Sequence, residues 1–197
     1  MIQKLGWGVM ALLALIIAAY AIAALAVATV RPPFLQQRFL TVPLAAALHL
    51  AASAIALAVG PFQHNSRIRG RFVNLHRWMG RTYVLAVLAG GIAALVLATL
   101  SQGGLPTHIG FGLLAVLWLG TTATAYGYIR AGHQVSHRRW MTRSYALTFA
   151  AVTLRIYLPL SFAVGLPFEP AYQAISWLCW VPNLIVAEWF ILPRLAS

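Results

Sequence analysis

Four histidines occur where they could bind a metal inside a membrane. His49 lies within a long apolar run, His108 begins another, and His76 and His137 each stand just before a further run. Ionisable residues inside a membrane span usually have a function. Two imidazoles that face each other in a helical bundle can supply both axial ligands of a haem iron. The pattern therefore predicts that these four histidines ligate one or two haem b groups.

A sequence repeat pairs these histidines. LHRWMGRTYVL and SHRRWMTRSYAL each open a long apolar run and share the block Trp-Met-x-Arg. His49 and His108 precede the two blocks by similar distances along the chain, so the repeated unit is a hairpin of two helices. An axis along the membrane normal would relate the two hairpins. It would pair His49 with His108 near the outer side and His76 with His137 near the inner side.

The two copies differ in detail. Counted from the proline that opens each span, His49 lies about four residues deeper than His108, which is roughly 6 Å of helical rise. The inner histidines, His76 and His137, differ by one position when the Trp-Met blocks are aligned. One position turns a helical side chain by about 100°. Both proposed pairs therefore need a local adjustment.

Three arginines within the apolar runs could neutralise haem propionates. Arg155 lies about four turns beyond Trp140, near the predicted level of the outer histidines. Its charge needs a propionate or an anionic substrate, with a side chain that reaches to the interface as the alternative. Arg81 and Arg143 are equivalent in the repeat. Their partners could be propionates of an inner haem, lipid phosphates or Glu188.

Small residues accompany the histidines. Gly90 and Gly91 lie at the predicted outer end of helix three, and Gly110 and Gly112 follow His108. Small side chains leave room for a flat macrocycle, but they also let membrane helices pack closely. Both interpretations remain open from the sequence.

The composition is that of an integral membrane protein. The 197 residues are 61% hydrophobic and carry a formal net charge of +12. The arginines are concentrated in short connections between apolar runs, which indicates membrane topology and not a nucleic-acid surface. A single cysteine, Cys179, excludes an internal disulfide framework and a C-x-x-C-H haem attachment site.

The predicted fold is one all-α membrane domain with six transmembrane helices. Apolar runs long enough to cross roughly 30 Å of hydrocarbon cover residues 7–30, 43–62, 78–100, 109–129, 142–164 and 172–192. Pro43 and Pro106 stand where a first helical turn begins, whereas Pro182 should kink the sixth helix. The duplicated hairpin makes helices two to five a four-helix core bundle.

The charge distribution predicts the orientation. The connections after spans two and four hold seven arginines, whereas those after spans three and five hold no basic residue. Because basic loops stay in the cytoplasm, both termini are predicted to be cytoplasmic. Arg31 and Arg38 are then exceptions on the outer side. The predicted location is the bacterial inner membrane.

Several blocks resemble a known membrane family. GPFQ, LHRWMGRTYVLAVLAG, HRRWMTRSYALTFAAVTLRIYLPL and WLCWVPNLIVAEW are similar to the bacterial family called domain of unknown function 2306. That resemblance implies a bundle of six helices or similar and no established activity. In architecture the chain also resembles the b-561-type cytochromes, whose four-helix core carries two haems. This second resemblance implies the same pairs, His49 with His108 and His76 with His137.

The predicted function is electron transfer across the membrane by a b-type cytochrome, an oxidoreductase if it is an enzyme. Quinol or a small reductant would donate electrons, because no flavin domain is attached. Lipids, a redox protein or a second copy of the chain are the other expected partners, and nucleic acid is not. Two alternatives remain open: a small-solute or proton-coupled transporter that uses His49, Arg155 and Glu188, and a non-catalytic assembly subunit.

Overall fold

Helices make up most of the described structure. The computed structural model describes residues 2–193, with side chains from residue 5 onward. Within that range six helical stretches are long and apolar enough to cross a membrane: Leu5–Ala26, Pro43–Gln63, Val73–Thr99, Leu105–Arg130, Gln134–Ala163 and Phe168–Ile191. The predicted all-α membrane fold with six spanning helices is therefore confirmed.

The first four spans are continuous helices. They are α1 (Ile2–Ala26), α3 (Pro43–Gln63), α5 (Val73–Thr99) and α6 (Leu105–Arg130), and two short helices, α2 (Pro33–Thr41) and α4 (Ser66–Arg71), lie in the connections. Prolines open α2 and α3, where their missing N–H costs no intrahelical bond. The side chain of Asn65 caps α4 by accepting the backbone N–H groups of Arg67 and Ile68.

The last two spans are interrupted. The fifth consists of α7 (Gln134–Thr148) and α8 (Ala150–Ala163), and the sixth of α9 (Phe168–Leu178), α10 (Val181–Val186) and a π-helical turn (Ala187–Ile191). Pro182 lies in the first turn of α10. Because proline cannot donate to the preceding turn, the interruption before it has a local cause. The predicted kink is therefore a break between two helices.

The chain divides into two compact units, the first ending at Gly90 and the second beginning at Gly91. In the first unit, α1 packs on α3, where the Trp7 indole donates to the Pro61 carbonyl at 2.9 Å. The α3 helix also meets α5, since the Gln63 amide donates to the His76 carbonyl at 3.3 Å. The first copy of the repeat therefore forms a helical hairpin.

Arg31 closes the end of α1. Its Nε donates to the Ala24 carbonyl at 2.6 Å and its Nη2 to the Leu25 carbonyl at 3.0 Å. The guanidinium also lies 3.7 Å from the ring centroid of Phe39 in α2. Arg31 thus satisfies carbonyls that a helix end leaves unpaired. This capping role explains why Arg31 occurs in a connection that the positive-inside rule predicts to lie on the outer side.

In the second unit, buried hydroxyl groups join α6 to α7. The Trp118 indole donates to Thr148 Oγ1 at 2.8 Å, and the hydroxyls of Thr122 and Ser144 lie 2.6 Å apart. All four residues are buried. Paired polar groups hold helices together where no water competes. The second copy of the repeat is therefore also a hairpin.

Candidate functional site

His49 lies in the seventh position of α3 and is half-buried. Its Nδ1 is 2.9 Å from the Gly90 carbonyl of α5, and the Ser53 hydroxyl is 3.5 Å from the same nitrogen. A carbonyl can only accept, so Nδ1 carries the proton. In the neutral ring the lone pair is then on Nε2, which is the atom that usually ligates haem iron.

His137 has the same arrangement in the second unit. It is half-buried in the first turn of α7, and its Nδ1 is 2.9 Å from the Ala125 carbonyl of α6. The proton is again fixed on Nδ1 and the lone pair on Nε2. Both rings are anchored to the backbone of a neighbouring helix, which is the usual support of a metal-ligating histidine.

His108 is held differently. Its Nε2 is 2.9 Å from the Ser101 carbonyl, so the proton is on Nε2 and the lone pair on Nδ1. The bond closes the turn between α5 and α6, which passes through Gly103 and Gly104 with positive φ. His108 therefore stabilises a tight turn in this structure. Ligation of iron through Nε2 would require the bond to Ser101 to break.

His76 is the fourth residue of α5, as His137 is of α7. The one-position offset against the Trp-Met block persists within each helix, so relative to that block the two side chains still differ in direction by about 100°. The half-buried His76 is held through its backbone, because its carbonyl accepts the Gln63 amide. The two inner histidines thus match in distance from the helix start and differ in position relative to the repeated block.

The two Trp-Met-x-Arg blocks adopt the same local geometry. The Arg81 guanidinium lies 5.1 Å from the Trp78 ring centroid, and that of Arg143 lies 4.6 Å from the Trp140 centroid. Arginine three positions after tryptophan lies on the same helix face, so the cation can stack on the indole. Arg143 also binds Glu188 in a two-point ion pair. Of the three partners considered for Arg143, the structure has Glu188.

Arg155 is half-buried in α8. Its Nη1 donates to the Ala151 carbonyl one turn earlier, at 3.0 Å. The guanidinium therefore lies along its own helix.

Two of the glycines near the histidines serve helix packing. A Cβ on Gly110 would lie 2.6 Å from Ser176 Oγ, and a Cβ on Gly91 would lie 2.6 Å from Leu119 Cδ2. Real Cβ atoms do not approach other atoms so closely, so neighbouring side chains occupy this space. At Gly110 and Gly91 the missing side chain therefore allows close packing in this structure. Gly112 has no neighbour within 4 Å of such a Cβ.

The sequence did not reveal the role of Asn183 in joining the interrupted spans. Its amide donates to the Cys179 carbonyl at 3.0 Å and to the Ala146 carbonyl at 3.3 Å, and it meets the Thr153 hydroxyl at 3.1 Å. Thr153 follows the break in the fifth span, and Cys179 lies at the break in the sixth. One side chain therefore bonds the backbone beside both breaks. The sequence feature that indicates this role is the position of Asn183 directly after Pro182, which interrupts the helix.

The fold and these polar contacts define a multi-pass helical membrane protein. The chain belongs to DUF2306, a family described as predicted membrane proteins, whose model matches residues 46–191. No curated protein and no solved structure matches the chain. The family assignment made from the sequence blocks is confirmed, whereas the resemblance to b-561-type cytochromes gains no support from these comparisons.

Proposed function

We propose that the protein is a b-type cytochrome that carries electrons through the membrane, with His49 and His137 as axial ligands of haem iron. The observation that carries this proposal is the shared setting of the two imidazoles. Each is half-buried, and each donates Nδ1–H to a carbonyl of a neighbouring helix at 2.9 Å. That bond fixes the ring and directs iron binding to Nε2.

The chain would position and tune the cofactor. When bound, haem would supply an iron centre that accepts and donates one electron. The hydrogen bond from His49 of α3 to Gly90 holds the imidazole against α5. The hydrogen bond from His137 of α7 to Ala125 holds the second imidazole against α6. Hydrogen bonding at Nδ1 also makes an imidazole a stronger donor to the metal. Rings held in place by hydrogen bonds suit a site that transfers electrons without rearranging.

The sequence repeat assigns the second axial ligands of the haem iron to His108 and His76. His108 would first have to release Ser101, because its Nε2 is bonded to that carbonyl. The proposal therefore rests on His49 and His137, and the repeat-based pairs remain predictions.

A haem propionate would need a cation, and Arg155 is the residue we assign to it. Arg155 lies inside the fifth span, where an anionic group stabilises a charged side chain. Arg143 already binds a carboxylate, that of Glu188, so we assign the propionate to Arg155 first. We further propose a bacterial inner-membrane location with cytoplasmic termini and quinol or a small reductant as the electron donor.

Single substitutions of the histidines test the ligand assignment. His49→Ala and His137→Ala should each reduce haem per polypeptide or convert a low-spin spectrum into a high-spin one, and added imidazole should restore the spectrum. His64→Ala and His133→Ala are matched controls, since these histidines lie at helix ends in the connections. Unchanged spectra in both test variants, with the protein folded, would contradict the assignment.

Transport is the second candidate, and one observation favours it. Both spans of the second unit that meet at Asn183 are interrupted, and transporters commonly bind solutes at broken helices. In that case Asn183→Ala would abolish solute flux in proteoliposomes that contain no haem. Under the cytochrome proposal the same variant would keep its haem spectrum and lose stability only.

A further inference from the structure

We propose that Arg81 and Trp78 bind the phosphate group of an anionic phospholipid. The two copies of the repeat supply the comparison, because among the described residues the arginine of the second Trp-Met-x-Arg block has a carboxylate partner and that of the first has no such ion pair. This inference is independent of haem binding.

The second copy has an anion in place. The Arg143 guanidinium stacks on Trp140 with 4.6 Å to the ring centroid. Its Nε and Nη2 bond the two carboxylate oxygens of Glu188 at 2.5 and 2.9 Å. A guanidinium presents a planar fork that fits carboxylate and phosphate oxygens alike. The block is therefore suited to two-point binding of an oxyanion.

The first copy has the same cation without a carboxylate in its unit. Arg81 stacks on Trp78 at 5.1 Å, and both side chains are exposed. The two acidic residues of the chain, Glu169 and Glu188, both lie after Gly91. The first unit therefore contains no acidic residue that could form an ion pair with Arg81, as Glu188 does with Arg143.

The Arg81 side chain is within reach of lipid phosphates. A helix of 27 residues such as α5 is roughly 40 Å long and exceeds the roughly 30 Å hydrocarbon core of a bilayer. Arg81 lies about 12 Å along it from Val73, near one hydrocarbon boundary. Tryptophan and arginine are both favoured at this level, where phosphate groups are within reach.

Nearby charge favours an anionic lipid over a zwitterionic one. Arg77 stands one helical turn before Arg81 and is exposed, and Arg67 and Arg71 of the preceding α4 are exposed as well. Basic residues near a membrane surface attract anionic lipids. Phosphatidylglycerol should therefore bind in preference to phosphatidylcholine.

Lipid-dependent stability and native mass spectrometry test the site. Phosphatidylglycerol added to detergent-purified protein should raise Tm and remain bound in the gas phase, whereas phosphatidylcholine and inorganic phosphate should do neither. Arg81→Gln should lose most of the Tm increase and several-fold of the bound lipid. Arg130→Gln removes an exposed arginine at the end of α6 and is the matched control. It should behave as the wild type does.

Two further variants test the planar guanidinium and the stacking partner separately. Arg81→Lys retains the charge without the planar fork and should bind phosphatidylglycerol weakly. If Arg81→Gln does not fold, Trp78→Leu removes only the stacking partner and should also weaken lipid binding. Equal stabilisation of Arg81→Gln and wild type by phosphatidylglycerol would overturn the proposal. So would an altered haem spectrum with unchanged lipid binding, which would assign Arg81 to a propionate.

Discussion

Arg143 and Glu188 form a two-point ion pair, with Nε 2.5 Å from Oε1 and Nη2 2.9 Å from Oε2. The pair joins α7 to the π-helical turn after α10 and uses one of two acidic residues in the chain. Turns of this kind often occur at functional sites because they shift the register of the side chains that follow. Here the turn contains the carboxylate that binds Arg143.

Removing one member of the pair should destabilise the fold. Glu188→Gln or Arg143→Gln leaves a charge without its partner, and a fully buried pair would lose about 3–5 kcal/mol. The loss should be smaller here, about 1–3 kcal/mol, because the Glu188 side chain is 41% exposed and partly screened. The measurement is the free energy of unfolding in a double-mutant cycle. Additive losses in the double variant would contradict direct coupling.

Asn183 should stabilise the two interrupted spans. Asn183→Asp keeps the shape but removes the amide donor to the Cys179 and Ala146 carbonyls. We expect a loss of about 1–3 kcal/mol, since carbonyls inside a membrane then lack a donor. Thr153→Val, which keeps both amide bonds, should cost less. Equal melting temperatures for wild type and Asn183→Asp would rule out this role.

Arg31 should be a structural cap of α1 and not a topology determinant. Arg31→Ala removes the donors to Ala24 and Leu25 and should lower the unfolding free energy by about 1–2 kcal/mol. Hydrogen exchange at the end of α1 should rise. Arg38→Ala removes the other arginine predicted on the outer side and serves as control. An unchanged unfolding free energy and unchanged hydrogen exchange in Arg31→Ala would contradict the capping role.

His108 should stabilise a turn. His108→Ala loses the bond to Ser101 and should cost about 1 kcal/mol. An unchanged haem spectrum in this variant would leave His108 with the turn as its role. His133→Ala is the control for removal of a histidine from a helix end. Loss of haem in His108→Ala would instead show that the ring rotates to ligate iron, as the repeat predicts.

The fold could be predicted because its causes are local. Apolar runs of sufficient length give membrane helices, and prolines at positions such as Pro43 and Pro182 determine where helices begin. The break at Phe149 has no such signal. It depends on tertiary contacts, among them the bond from Asn183 to the Ala146 carbonyl.

The candidate site could be predicted only in part. The repeat identified the four histidines, but side-chain direction separates His49 from His108, which bond through different ring nitrogens. Sequence equivalence does not determine which nitrogen meets a carbonyl. Likewise, the charge rule treats every arginine alike, whereas Arg31 caps a helix and Arg143 binds a carboxylate.

The most direct test of the cytochrome proposal is haem quantification in the purified protein. The chain would be expressed in the membrane of a host with ample haem, purified in mild detergent and assayed by the pyridine haemochrome method. The proposal predicts one or two haem b per polypeptide, with a low-spin spectrum that shifts on reduction by dithionite. Folded protein without stoichiometric haem under these conditions would contradict it.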